Sequence, residues 1–179
     1  MLKIYDDTYK TLREKSKIVE LPLSDEDEKL ALALLEHLKI SQDPELAKKY
    51  NLREGVGLAA PQVGVTKRLI AVYYDDGEKI VERVLANPII ISESKRKTYI
   101  ESGEGCLSVP RDVDGLVFRA YKIKVKAYDV IAKKNITFGA TGFDAIVLQH
   151  EIDHLNGILF YDHISPLINK STYPDAVGI

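Results

Sequence analysis

The segment Thr141-Gly142-Phe143-Asp144-Ala145-Ile146-Val147-Leu148-Gln149-His150-Glu151-Ile152-Asp153-His154-Leu155-Asn156-Gly157 reads as a helix that opens at Thr141 and Asp144 and closes on Asn156-Gly157. Ala145, Leu148, Ile152 and Leu155 recur at helical spacing, so this face is apolar and the helix is set deep in a core. Polar side chains are destabilising there unless they are paired. Yet the helix carries His150, Glu151 and His154 within about one turn. The two histidines stand four residues apart, about 40° round the axis, so both imidazoles reach one ion. Glu151 lies about 100° from His150, near enough to touch a water on that ion, which suits a general base better than a third ligand. Two histidines at this spacing also arise by chance on solvated helices, but the apolar flanks favour the metal reading.

Open catalytic sites usually take three protein ligands and keep a further position for water, so one ligand is missing. Along the metzincin pattern the glycine is present at Gly157, but the third histidine is replaced by Phe160. Asp162 and His163 remain as downstream alternatives, in a stretch from Gly157 to Ile164 that is equally readable as an alternating strand. Cys106 is the better third ligand. It is the only cysteine, and it follows Gly103-Glu104-Gly105, whose glycines let the backbone come close to another element. A buried inert thiol is the alternative.

The rest of the chain supplies a scaffold. Ser24 to Ile40 reads as an amphipathic helix, with Leu30, Leu34 and Leu38 four apart and Ser24 with Asp27 opening it. Asp43 to Tyr50 has an N-cap and a first-turn proline, the start of a second helix. Gly55 to Gly64 is small, glycine-rich and interrupted by Pro61, hence a tight loop pressed against a neighbour. Strands follow at Arg68–Tyr74 and Lys79–Leu85, with Asn87-Pro88 as a break. From Tyr121 to Ala127, apolar residues alternate with Lys122, Lys124 and Lys126, so one face is buried and the other wet. Lys133-Lys134-Asn135 turns the chain into Ile136–Ala140. The tail from Ser165 to Ile179 is expected to be partly disordered. These elements predict a single α+β domain over residues 1–179. Antiparallel β-sheets surround a central metal-binding helix, and an N-terminal helix packs outside.

Composition narrows the function. Charged residues make up 29%, hydrophobic residues 45%, and the net charge is −2, a balance too even to indicate a nucleic-acid-binding protein. No apolar run approaches the roughly 20 residues of a membrane helix, no apolar leader follows Met1, and a lone cysteine suits a reducing compartment. A cytoplasmic protein without a specific nucleic-acid site is expected.

Three segments together resemble the motifs of peptide deformylase, which removes the formyl group from the N-terminal formylmethionine of newly made chains. They are Gly55-Val56-Gly57-Leu58-Ala59-Ala60-Pro61-Gln62, Glu104-Gly105-Cys106-Leu107-Ser108 and Gln149-His150-Glu151-Ile152-Asp153-His154-Leu155. Their order and spacing fit from about Ser41 to Ile164, and Ser41 to Glu54 resembles the insertion of the longer, Gram-positive-like form. The resemblance implies that Cys106, His150 and His154 bind one divalent ion. Ferrous iron is expected as the native ion, with zinc, nickel or cobalt able to replace it. It also implies that the Gln62 amide and the backbone N–H of Leu107 stabilise the oxyanion, while Glu151 serves as general base and acid. Without the resemblance Gln62 reads as a surface amide. Val56, Gly57 and Gly105 would bind the substrate.

Helical periodicity alone places Phe143, Ile146 and Val147 near the side of His150 and His154, an apolar patch suited to a methionine side chain. Ordinary core is the alternative. Arg111 is a possible contact to the nascent peptide, and Glu104 with Arg119 a supporting ion pair, or else a solvated one. Formylated nascent peptides, transient ribosome contact and a monomer are the implied partners and state, although the tail lacks the basic helix with which some relatives dock. An endopeptidase and a domain with a purely structural metal are the rival readings.

Overall fold

The strand β2 (Leu69–Asp75) is apolar almost without interruption because both of its faces are covered. Ile70 and Val72 turn to one side, against Leu148, Ile152 and Leu155. Leu69 and Ala71 turn to the other, against Leu34, Leu35 and Leu38. The computed structural model describes residues 1–179 and explains this double burial by its layers. A five-stranded sheet, in the order β1-β2-β3-β6-β7, is built from β1 (Gly57–Ala59), β2, β3 (Ile80–Glu93), β6 (Lys122–Asp129) and β7 (Lys134–Thr141), and every pairing is antiparallel. Helix α3 (Gly142–Leu155) lies on one face, and α1 (Asp25–Gln42) lies outside on the other. Each fully buried leucine in these layers contributes about 1.5–3 kcal/mol of transfer free energy. A small second sheet, β5-β4-β8, closes over the other side of α3. It consists of β4 (Lys97–Tyr99), β5 (Arg119–Ala120) and β8 (Val177–Gly178). The expected α+β class is the observed one.

Local chemistry sets the element ends. The Ser24 hydroxyl accepts from the Asp27 N–H at 3.2 Å, and Asp43 closes α1 while its carboxylate caps α2 (Pro44–Tyr50). In β6, Ile123, Val125 and Ala127 are buried while Lys122, Lys124 and Lys126 are exposed, as the alternation predicts.

Four expectations are corrected. The glycine-rich stretch is not only a loop: residues 57–59 pair with β2 before a 3₁₀ turn, Ala60–Val63, takes up Pro61. Asn87-Pro88 does not end a strand. It is a bulge inside β3, where Asn87 adopts φ +52° and its side-chain amide bonds both polar backbone groups of Val19. The turn between β6 and β7 spans 130–133, so Lys134 and Asn135 already lie in β7, with Lys133 at φ +51°. Helix α3 does open at Thr141, its N-cap, which makes no side-chain bond, and Asp144 in its first turn is held by Arg83 and Tyr74. The tail is tied down rather than loose: β8 runs parallel to β4, and Tyr173 packs against Phe118.

Candidate active site

Helix α3 is clamped before it does any chemistry. Gln149 donates from its amide to the carbonyls of Ala120 and Ala145 and accepts from the Ala120 N–H, tying mid-helix to β5. At the C-terminus the buried Arg68 donates to the Leu155 carbonyl and the Asn156 side chain, a cation where the helix dipole is negative. Gly157 then turns away at φ +74°, where a Cβ would stand 2.8 Å from the Arg13 carbonyl oxygen.

The loop from β4 to β5 brings Cys106 against the buried turn of α3 that carries His150 and His154. A tight turn, in which the Val109 N–H donates to the Cys106 carbonyl, seats the cysteine against Val117 and Phe160. The Cys106 Sγ lies 3.3 Å from His154 Nε2, and one donor atom each from Cys106, His150 and His154 fall within 4.8 Å of one another. His150 Nδ1 donates to Glu104 Oε2 at 2.9 Å, which leaves Nε2 as its free lone pair. Glu104 also accepts from Nε and Nη2 of Arg119, whose Nη1 reaches Asp153. The pair is buried, not solvated. Burial alone would raise the Glu104 carboxyl, but the hydrogen bonds from His150 and Arg119 outweigh it and hold it down at about 2. Glu104→Gln should therefore weaken metal affinity about 10–100-fold, read by competition with a chelator.

The electrostatics favour a cation. Burial opposes charge on both imidazoles, yet Cys106 and Glu104 draw positive charge to His150, which in turn keeps it off His154. One sulfur and two imidazoles around that centre suit a single transition-metal ion. Beside them, Glu151 is 4% exposed and its Oε2 has no hydrogen-bond partner, as expected of a carboxylate facing a water on an ion. Burial pushes its carboxyl up to about 7, where it both takes and gives a proton near neutrality.

Gln62 is 1% exposed, so the surface-amide reading is overturned. Its Oε1 accepts from the Ala59 N–H, which turns the NH₂ toward Ser108 Oγ at 3.2 Å and Cys106 Sγ at 3.6 Å. The Leu107 N–H makes no backbone hydrogen bond. A cleft of about 250 Å³ opens here, and Val56, Gly57, Gly105, Phe143, Ile146 and Val147 all line it. Gly57 touches Glu151 so closely that a Cβ would stand 2.3 Å from Oε1. Gly57→Ala should displace the carboxylate and lower kcat about 10²-fold with metal content unchanged.

Other residues fall elsewhere. Asp162 binds Arg13 and His163 binds Asp153, in a 3₁₀ turn, Phe160–His163, rather than a strand, and neither belongs to the donor cluster. Arg111 is held by Asp7. Sequence reasoning missed Arg53, Glu54 and Ile100 at the cleft. The first two directly precede the glycine motif, whereas nothing around Ile100 signals its place.

Water activated at a metal ion is the chemistry such a cradle supports, and this places the chain among the metal-dependent hydrolases. Comparison with known proteins narrows the class. The family described as polypeptide deformylase matches residues 1–170. The peptide deformylase of Ligilactobacillus salivarius is 53% identical over 169 residues, covering 92% of this chain and 90% of that one. That of Halalkalibacterium halodurans is 56% identical over 154 residues, covering 86% and 84%. A Met-Ala-Ser-bound class I type b peptide deformylase from Acinetobacter baumannii superposes with a TM-score of 0.73 at 32% identity, over 92% of this chain and 98% of that one. The chain belongs to the polypeptide deformylase family, and its activity is the metal-dependent removal of the N-formyl group from nascent peptides.

Proposed function

We propose that Cys106, His150 and His154 hold a single divalent ion in this enzyme, with ferrous iron the resident metal and zinc, nickel or cobalt able to replace it. When bound, the ion supplies the Lewis acidity that polarises the formyl carbonyl and makes a water a strong nucleophile. Glu151 takes the proton from that water and passes it to the leaving amine. The Gln62 amide and the Leu107 N–H donate to the formyl oxygen as negative charge develops on it. Phe143, Ile146 and Val147 enclose the methionine side chain, while Val56, Gly57 and Gly105 line the path of the peptide backbone. The single observation behind these roles is the buried, unpartnered Glu151 Oε2 beside a three-donor cluster.

The test offers anaerobically purified, metal-analysed protein two substrates: formyl-Met-Ala-Ser and an unformylated protein. Formate released from the first and no cleavage of the second is expected. Cleavage of the second alone would instead identify an endopeptidase. We further infer a monomer acting in the cytoplasm, one catalytic domain over 1–179, and transient contact with the ribosome. No helix is long and apolar enough to cross a membrane.

A further inference from the structure

The first sixteen residues belong to neither sheet, yet they run along all three segments that build the site. The Tyr5 N–H donates to the Gln62 carbonyl at 2.8 Å, and the Thr11 hydroxyl donates to the Pro61 carbonyl at 2.7 Å, both on the 3₁₀ turn that carries Gln62. The Ser16 N–H donates to the Leu155 carbonyl at 2.8 Å, at the end of the histidine helix. Between these points Asp7 reaches the stretch that follows Cys106. Its carboxylate accepts from Nη1 and Nη2 of Arg111, at 3.0 and 2.7 Å, and from the Tyr161 hydroxyl at 2.7 Å.

Both partners of Asp7 stand beside something the site depends on. Arg111 comes two residues after Val109, whose N–H closes the turn on the Cys106 carbonyl. Tyr161 follows Phe160, whose buried ring packs against Cys106 and lies 6.1 Å from the His150 ring at an interplanar angle of 17°. Two guanidinium groups lie over the Tyr161 ring, that of Arg111 at 5.6 Å and that of Arg13 at 5.5 Å from its centroid.

Exposed ion pairs usually add little, and the Arg111 side chain, 54% exposed, is on its own such a group. Asp7 is different: its side chain is 6% exposed, and the hydrogen bonds from Arg111, with that from Tyr161, hold its carboxyl down at about 2. A bidentate arginine and a phenol converging on one carboxylate fix direction as well as distance. The loop that delivers Cys106 needs such fixing. From residue 100 to 118 it contains no helix or strand, and few backbone bonds hold it, among them Gly103 N–H to Ile100 and Val109 N–H to Cys106. A functional constellation has to be held to within about 0.5 Å, a precision that so loosely bonded a loop takes from its side-chain anchors. The Arg111 fork closes on Asp7, and neither residue lines the cleft.

We propose that Asp7 is a positioning residue for the metal donors: by bridging Arg111 and Tyr161 it sets how far the Cys106 sulfur stands from the imidazoles of His150 and His154. The inference rests on the reading of those three residues as ligands of one ion. It makes the N-terminal segment part of the machinery of a cleft that Asp7 itself does not enter.

The test uses cobalt(II) as probe. Apoprotein and variants are titrated with cobalt against a competing chelator, and the sulfur-to-cobalt charge-transfer absorption is recorded. Asp7→Asn should bind cobalt about 10–100-fold more weakly, the loss typical when an outer support of a ligand is removed, and its charge-transfer band should shift or fade. Arg111→Gln breaks the same pair from the exposed side, where folding is little affected, and should lose affinity in the same direction. Asp27→Asn is the control: it breaks a similarly buried carboxylate's pair with Lys67 on the α1 side of the sheet and should keep wild-type cobalt affinity and band, whatever it does to the melting temperature of the apoprotein. Lowered apoprotein melting in both aspartate variants with cobalt affinity and band unchanged in both would make Asp7 merely structural and overturn the proposal. So would an Arg111→Gln protein with wild-type cobalt affinity and a raised KM for formyl-Met-Ala-Ser, which would assign Arg111 to the substrate. Wild-type protein that binds no cobalt would bring down the ligand reading and this inference with it, whereas unchanged variants beside a cobalt-binding wild type sink the inference alone.

Discussion

Glu151→Gln should leave bound metal at the wild-type level while kcat falls roughly 10²–10⁴-fold, the range general acid–base catalysis contributes. Glutamine keeps the volume and the buried contacts but cannot accept the proton of the attacking water or return it to the amine. Because Glu151 is not among the three clustered donors, metal analysis and turnover should separate cleanly. Parallel loss of metal and activity would make Glu151 a ligand, and normal turnover would remove it from the mechanism.

Cys106→Ala should do the reverse and lose the ion itself, with activity disappearing as a consequence. Two imidazoles one helical turn apart remain, but the third donor of the cluster, the Cys106 sulfur, comes from a loop 44 positions upstream of His150, and the chain has no second cysteine to replace it. The apoprotein should also melt at lower temperature, because ligand binding to the native state adds stability by mass action. Metal content by elemental mass spectrometry and a thermal melt check both statements. Full metal occupancy in the variant would mean that another group completes the shell.

How much of this was legible beforehand depends on how local the signal is. The helix from Gly142 to Leu155 is readable because its apolar period, its end signals and its paired histidines coincide within fourteen residues. The alternation in β6 is readable for the same reason, since its burial pattern has period two. The Asn87 bulge was not readable, because Asn-Pro is a break signal in isolation and only contact with Val19 keeps β3 continuous through it. Strand β8 was likewise invisible: two residues pair with a partner nearly eighty positions away, and no local pattern carries that information. At the site the three donors could be named from spacing and cysteine scarcity. The Glu104–Arg119–Asp153 support could be guessed only in part, and its burial follows from the second sheet closing over α3.

Strand β1 stands at the margin of its sheet, bonded to β2 on one side only, and it borders the cleft. Gln62 takes up the Ala59 N–H at this margin, and the backbone groups of Gly57 beside it are of the kind that every amino acid shares. A peptide laid along it would be held by what all polypeptides have in common, and scrutiny of side chains would fall on the one residue that enters the pocket. One small catalyst of this design can therefore serve an entire proteome, indifferent to what each product goes on to become.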